Sequence, residues 1–165
     1  MTLLAGSRAT VRALRAAVVV LLIILVISGL LYYQLSRERE AIERLEVEVV
    51  GASITRLGLS NCDIAIRLRF TNPSGSDTPT FWVSPYYVYI NGELVATGSL
   101  PPTRVAAGSS VYQDLTASVE YSRVARTLVE AIVRGELKVE VRGVIRARVL
   151  FGLLEVSAPF TSAKA

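Results

Sequence analysis

Few side chains in this sequence have the makings of chemistry. Of its 165 residues none is histidine and one, Cys62, is cysteine. Without histidine the commonest general base and the commonest zinc ligand are missing, and a lone thiol closes no intrachain disulfide or cysteine-rich metal centre. Cys62 alternates with Ile64, Ile66 and Leu68, so it is expected to be buried as a small hydrophobe. The alternative, an intermolecular disulfide or a redox thiol, needs a basic neighbour that this strand face does not supply. Asp77 with Ser74 and Ser76 offers oxygens for calcium, but the spacing is not that of an EF-hand and reads as a solvated turn. No carboxylate pair declares a cleft, and G-x-S-x-G, Walker A, G-x-G-x-x-G and H-E-x-x-H motifs are absent. The expectation is a protein that is not an enzyme and carries no cofactor or metal.

Binding surfaces are a better prospect. Arg142, Arg146 and Arg148, with Lys138, fall on one side of an alternating segment. They could meet anionic headgroups or an acidic partner, although a solvated sheet face that discourages edge pairing is the plainer reading. Phe81, Trp82, Tyr86, Tyr87 and Tyr89 form an aromatic run whose ordinary role is packing. If Trp82 and Tyr86 face solvent, they are the candidate partner contact.

The elements that must position these residues divide the chain. Ala16 to Ser36 is free of charge, and Ser28 and Gly29 alone interrupt the hydrophobic run from Ala16 to Tyr33. A helix of that length spans roughly 30 Å, the thickness of bilayer hydrocarbon. The expected anchor includes Ala16, Val20, Ile24, Ile27 and Leu31, with Tyr32 and Tyr33 at the outer interface. Arg8, Arg12 and Arg15 precede it without acidic company and carry three of the four net positive charges. The positive-inside rule then places residues 1–15 in the cytoplasm and the remainder outside the cell membrane, and the basic balance reads as topology rather than as nucleic-acid binding. A cleaved signal peptide competes, but the run is long for one and no A-x-A follows.

Residues 37–45 read as the same helix continuing into solvent, with Arg39–Glu43 and Glu40–Arg44 pairs on its faces. From there, over residues 46–165, the period becomes two. The segment 45–59 begins it, and Cys62 to Phe70 is a half-buried strand ended by Asn72-Pro73. Phe81 to Ile90 follows, with Pro85 demoting its first half to an edge or bulged position. Asn91-Gly92 then marks a two-residue hairpin returning to Leu100. Val111 to Val119 alternates, Ser122 is the expected cap of a helix through Val133 stopped by Gly135, and strands 137–149 and 153–160 close the chain. About seven strands and one short helix predict a mainly β, antiparallel sandwich of immunoglobulin or fibronectin III type behind a single N-terminal transmembrane helix.

The strand ending at Asn72-Pro73, the run Tyr87-Val88-Tyr89-Ile90-Asn91-Gly92, the Ala96-Thr97-Gly98 segment and Val105 to Ser109 together resemble the type 2 late embryogenesis abundant proteins, whose module is the WHy (water stress and hypersensitive response) domain. The resemblance runs from about residue 45 to 160. It implies a seven-stranded sandwich without catalytic residues, acting in tolerance of desiccation, heat or other stress, with client or envelope proteins as partners. Its motif residues Asn72, Pro73, Tyr87, Asn91, Gly92 and Gly98 read as folding devices. The segment Pro73-Ser74-Gly75-Ser76 departs from the second asparagine and apolar residue frequent in relatives. A structural component of the envelope, a pilus- or archaellum-type filament subunit or stator, is the competing function. An N-terminal apolar helix leading into a sandwich fits it, but the early glutamate of a processed pilin is missing.

Overall fold

Strict alternation of small or branched apolar residues with polar ones forces the β segments to bury one face, and the fold follows from pairing those faces. A computed structural model of the chain describes the backbone of residues 5–164 and the side chains of residues 12–164. The elements are α1 (Ala5–Glu43), β1 (Glu46–Leu57), β2 (Asn61–Thr71), β3 (Phe81–Ile90), β4 (Glu93–Thr103), β5 (Ser110–Glu120), a 3₁₀ turn (Tyr121–Arg123), α2 (Arg126–Arg134), β6 (Val139–Val149) and β7 (Leu154–Lys164). Two compact units result, residues 1–36 and 37–165.

In the first unit α1 presents apolar side chains outward throughout, from Leu14 through Tyr33. The helix is long and apolar enough to cross a membrane. Arg12 and Arg15 are exposed on it, and Arg8 lies outside the residues whose side chains are described.

The second unit contains both sheets, one ordered β1-β2-β5 and the other β4-β3-β6-β7, with every pairing antiparallel. Inner faces meet in one core: Cys62, Ile64, Ile66, Leu68 and Phe70 from β2, Phe81, Val83, Val88 and Ile90 from β3, and Val139, Val141, Ile145 and Ala147 from β6. Phe70 and Phe81 join the two layers with ring centroids 5.6 Å apart. Each valine, leucine, isoleucine or phenylalanine among them contributes about 1.5–3 kcal/mol by leaving water.

Three local outcomes depart from expectation. Residues 37–45 form the two expected ion pairs, Arg39–Glu43 at 2.6 Å and Arg44–Glu40 at 3.0 Å. Yet this stretch is not a solvated helix, because Ala41, Ile42 and Leu45 are buried in the sandwich. Ser122 does not cap α2. It sits in the 3₁₀ turn, and the N-cap is Ala125, without a side-chain hydrogen bond of its own; the Glu93 carboxylate instead accepts from the Ala125 amide at 3.0 Å. Gly135 does end α2, at φ 74°.

Pro85 is the third. Its strand is central, flanked by β4 and β6, so the edge placement is wrong and the bulge is right. Val83 pairs Ile145 and Tyr86 pairs Gly143, leaving Ser84 and Pro85 opposite a single residue. The missing proline N–H falls in the interruption of the ladder, where it costs least. The Asn91-Gly92 hairpin forms as read, with φ 51° and 87° at its two positions.

Candidate functional site

The extra residue at Pro85 decides which aromatic side chains are available. Before it Phe81 and Val83 face the core; after it Tyr86, Val88 and Ile90 do. Tyr86 is therefore inside, 8% exposed, and is not a partner contact. Its phenol lies over the β4 backbone at Gly98. A Cβ on that glycine would stand 2.6 Å from Tyr86 Oη and 2.8 Å from Cζ. Trp82, Tyr87 and Tyr89 are on the outer face of the four-stranded sheet, opposite Arg146, Arg142 and Glu140 of β6.

That outer face gathers most of the basic candidates. The Arg142 guanidinium lies 4.8 Å from the Tyr89 ring centroid and pairs with Glu140 at 2.5 Å. The carboxylate holds the Arg142 pKa above its usual value, first through the side-chain hydrogen bond and then through charge. Arg148 lies 5.9 Å from the Trp82 centroid, and Arg146 reaches Glu155 at 3.4 Å. Cations over aromatic rings and paired to carboxylates make a mixed, nearly neutral surface rather than a basic patch. Lys138 is apart from it, at the start of β6, where its backbone amide donates to Asn91 Oδ1 at 2.9 Å. An open groove of about 760 Å³ lies there, between the β3–β4 turn, the end of α2 and the end of β7.

The Asn72 side chain bonds on both its amide nitrogen and its oxygen. Fully buried, it donates through Nδ2 to Ser76 O at 2.8 Å, Val105 O at 3.3 Å and Ala106 O at 3.4 Å. Its Oδ1 accepts from the Ser74 amide at 3.1 Å and the Ser74 hydroxyl at 2.7 Å. The amide thus ties the loop after β2 to the loop before β5, and Thr78 repeats the tie by accepting from Val105 N at 2.9 Å. Pro73, exposed beside it, ends the ladder. Asp77 accepts from Ala107 N at 3.0 Å and pairs with Arg104 at 3.6 Å, so its oxygens are used in loop architecture. Among the described residues no group of three or more Cys, Asp or Glu side chains is placed to hold a metal.

Cys62 is buried without exposure on the inner face of β2. Desolvation is the largest influence on its thiol and pushes the pKa up. That is the state of a packing residue and the opposite of an activated nucleophile.

A feature absent from the sequence expectations closes the sheet. Between β6 and β7 the chain turns through Leu150, Phe151 and Gly152 at φ 52°, 59° and 87°. Phe151 is 86% exposed and Leu153 77%. The signal was a glycine flanked by large apolar residues where turns ordinarily carry Asn, Asp or Ser.

These features define an antiparallel sandwich whose special residues are folding devices, joined to an apolar helix. The family model described as late embryogenesis abundant protein, LEA_2, matches residues 67–162. The chain belongs to that family. Among solved structures it is similar to the Arabidopsis thaliana protein AT1g01470, known from its solution structure, with TM-score 0.55, 19% identity, and coverage of 75% of this chain and 82% of that one. It is also similar to a late embryogenesis abundant protein, At2g46140.1, with TM-score 0.48, 13% identity and coverage of 88% and 85%. A protein from Archaeoglobus fulgidus gives TM-score 0.41, 22% identity and coverage of 72% and 94%. No curated protein matches the chain.

Proposed function

We propose that this LEA_2 protein is a non-catalytic stress-protection domain of the WHy type, held at the outer face of the cell membrane by one uncleaved helix. In this reading residues 16–36 span the bilayer and the arginines before them stay in the cytoplasm. The sandwich outside then shields client or envelope proteins during desiccation or heat. The observation that carries it is the LEA_2 sandwich following a helix with outward-facing apolar side chains from Leu14 to Tyr33. Such a helix satisfies its own backbone, and lipid takes its exposed apolar surface out of water. Stress protection enters through family membership, and the exposed Leu57, Leu59 and Val133 supply apolar surface for unfolding clients.

The test uses the full chain. Expressed in cells, it should resist alkaline extraction from membranes, keep its N-terminal residues by mass, and lose its sandwich to protease added outside. Reconstituted in vesicles, it should slow heat or drying inactivation of an unrelated enzyme relative to empty vesicles. Extraction by alkali or a mature chain beginning after residue 36 overturns the anchor. No slowing at a stoichiometric ratio overturns the protective role.

A further inference from the structure

The β6–β7 turn places large apolar side chains where a soluble protein places polar ones. Phe151 and Leu153 are almost fully exposed, and Leu154 is 47% exposed. Leu150 and Phe151 also hold positive φ, a conformation that bulky residues rarely adopt.

A hydrogen bond to the juxtamembrane segment locates the turn. The Glu38 carboxylate accepts from the Leu150 amide at 2.7 Å. Glu38 follows Ser36, the last residue of the uncharged run, by two positions. Since an extended chain covers at most about 3.6 Å per residue, Phe151 stays within about 20 Å of the end of that run, however the helix is oriented. The β1–β2 turn belongs to the other sheet and lies at the far end of the sandwich: β1 starts beside β7, with Val49 N donating to Ser162 Oγ, and runs away to Leu57, which pairs with Cys62.

We propose that the β6–β7 turn is a second contact with the bilayer, inserting Phe151 and Leu153 into the lipid interface beside the anchor. The proposal rests on the anchor reading above. Few apolar side chains suffice for such a contact, because the anchor supplies a high effective concentration of membrane. A stable dimer, by contrast, needs about 800 Å² from each partner, more than this turn presents. Aromatic and leucine side chains are suited to the depth of headgroups and upper acyl chains. Exposed Arg148, just before the turn, is placed to meet lipid phosphate.

To test it, the full chain carrying Phe151→Cys is labelled with an environment-sensitive fluorophore, buried Cys62 being protected in the folded state. It is inserted into vesicles of zwitterionic and anionic phospholipid. Leu153→Cys serves as a second position and Leu59→Cys, in the far turn, as the control. The expected result is blue-shifted emission at 151 and 153, and quenching there by lipid-borne nitroxide several-fold stronger than at 59. Water-like emission at both positions, in protein that resists alkaline extraction, overturns the turn contact and leaves the anchor standing. Protein extracted by alkali overturns both. Protection at 151 that persists in detergent and escapes the lipid quencher assigns the turn to a second copy and overturns the lipid contact.

Discussion

Tyr86 and Gly98 are fitted to each other across the β3–β4 pair: the phenol occupies the space a Cβ at Gly98 would need, 2.6 Å from Oη. Tyr86 is enclosed at 8% exposure, so the ring has little room to withdraw. Gly98→Ala should therefore destabilise the sandwich by about 1–3 kcal/mol, the ordinary cost of overpacking. Adding Tyr86→Leu should recover part of that loss, and a double-mutant cycle in urea measures the coupling. Additive effects would show that the two residues do not oppose one another.

Asn72 gives a second prediction. Removing its amide leaves the buried Ser74 amide without its acceptor and takes one of two donors from the Val105 and Ser76 carbonyls, which keep Thr78 N and the Ser74 hydroxyl. Asn72→Ala should cost about 2–3 kcal/mol. Asn72→Asp should cost at least as much despite equal size, since a carboxylate would face the same carbonyl oxygens without a proton to offer. Limited proteolysis should find new cuts between residues 72 and 80 in both variants, and unchanged digestion would contradict the role.

Ile42 is 1% exposed and packs in the core together with Leu45. Ile42→Ala should lower unfolding free energy by about 2–4 kcal/mol. A fragment beginning at residue 46 should be less stable than one beginning at 37, by at least that amount. Equal urea midpoints for the two fragments would remove residues 37–45 from the folding unit.

Cys62 titrates in a defined direction. Its folded pKa is raised by burial, while the unfolded thiol ionises near about 8.5. Above that pH the folded state binds more protons than the unfolded state, so stability contributed below it is lost as pH rises. Wild type should lose stability relative to Cys62→Ala by up to about 1.4 kcal/mol per pH unit between the unfolded and folded values. Denaturation curves at pH 8 and 9.5 measure the slope difference. The native thiol should also stay silent toward a disulfide reagent until the protein unfolds.

What could be read beforehand depended on whether a pattern was local. β2 and β6 declare themselves because one face alternates without interruption, as from Cys62 to Phe70. Asn91-Gly92 is equally plain because positive φ at both positions leaves few residue choices. Ser122 misled because a good capping side chain competes with chain geometry. The 3₁₀ turn takes up Tyr121 to Arg123, and α2 starts after it. The buried face of residues 37–45 was hidden by six charges surrounding Ala41, Ile42 and Leu45. Asn72 was legible as a strand-ending turn residue, but not its tie to Val105, nor the bond of Glu38 to Leu150, since those partners lie far along the chain.

The extra residue at Pro85 has a bearing on how this strand should be compared with others. Trp82 and Tyr87 are five positions apart, an odd interval that an uninterrupted strand would send to opposite sides, yet both look outward. Inside and outside exchange parity midway along β3. Alignment of relatives should therefore run forward from Phe81 and backward from Asn91-Gly92, with the gap resolved at Ser84-Pro85. One residue misplaced there would swap every core position downstream with its surface neighbour, and an interior tyrosine would be mistaken for a docking residue.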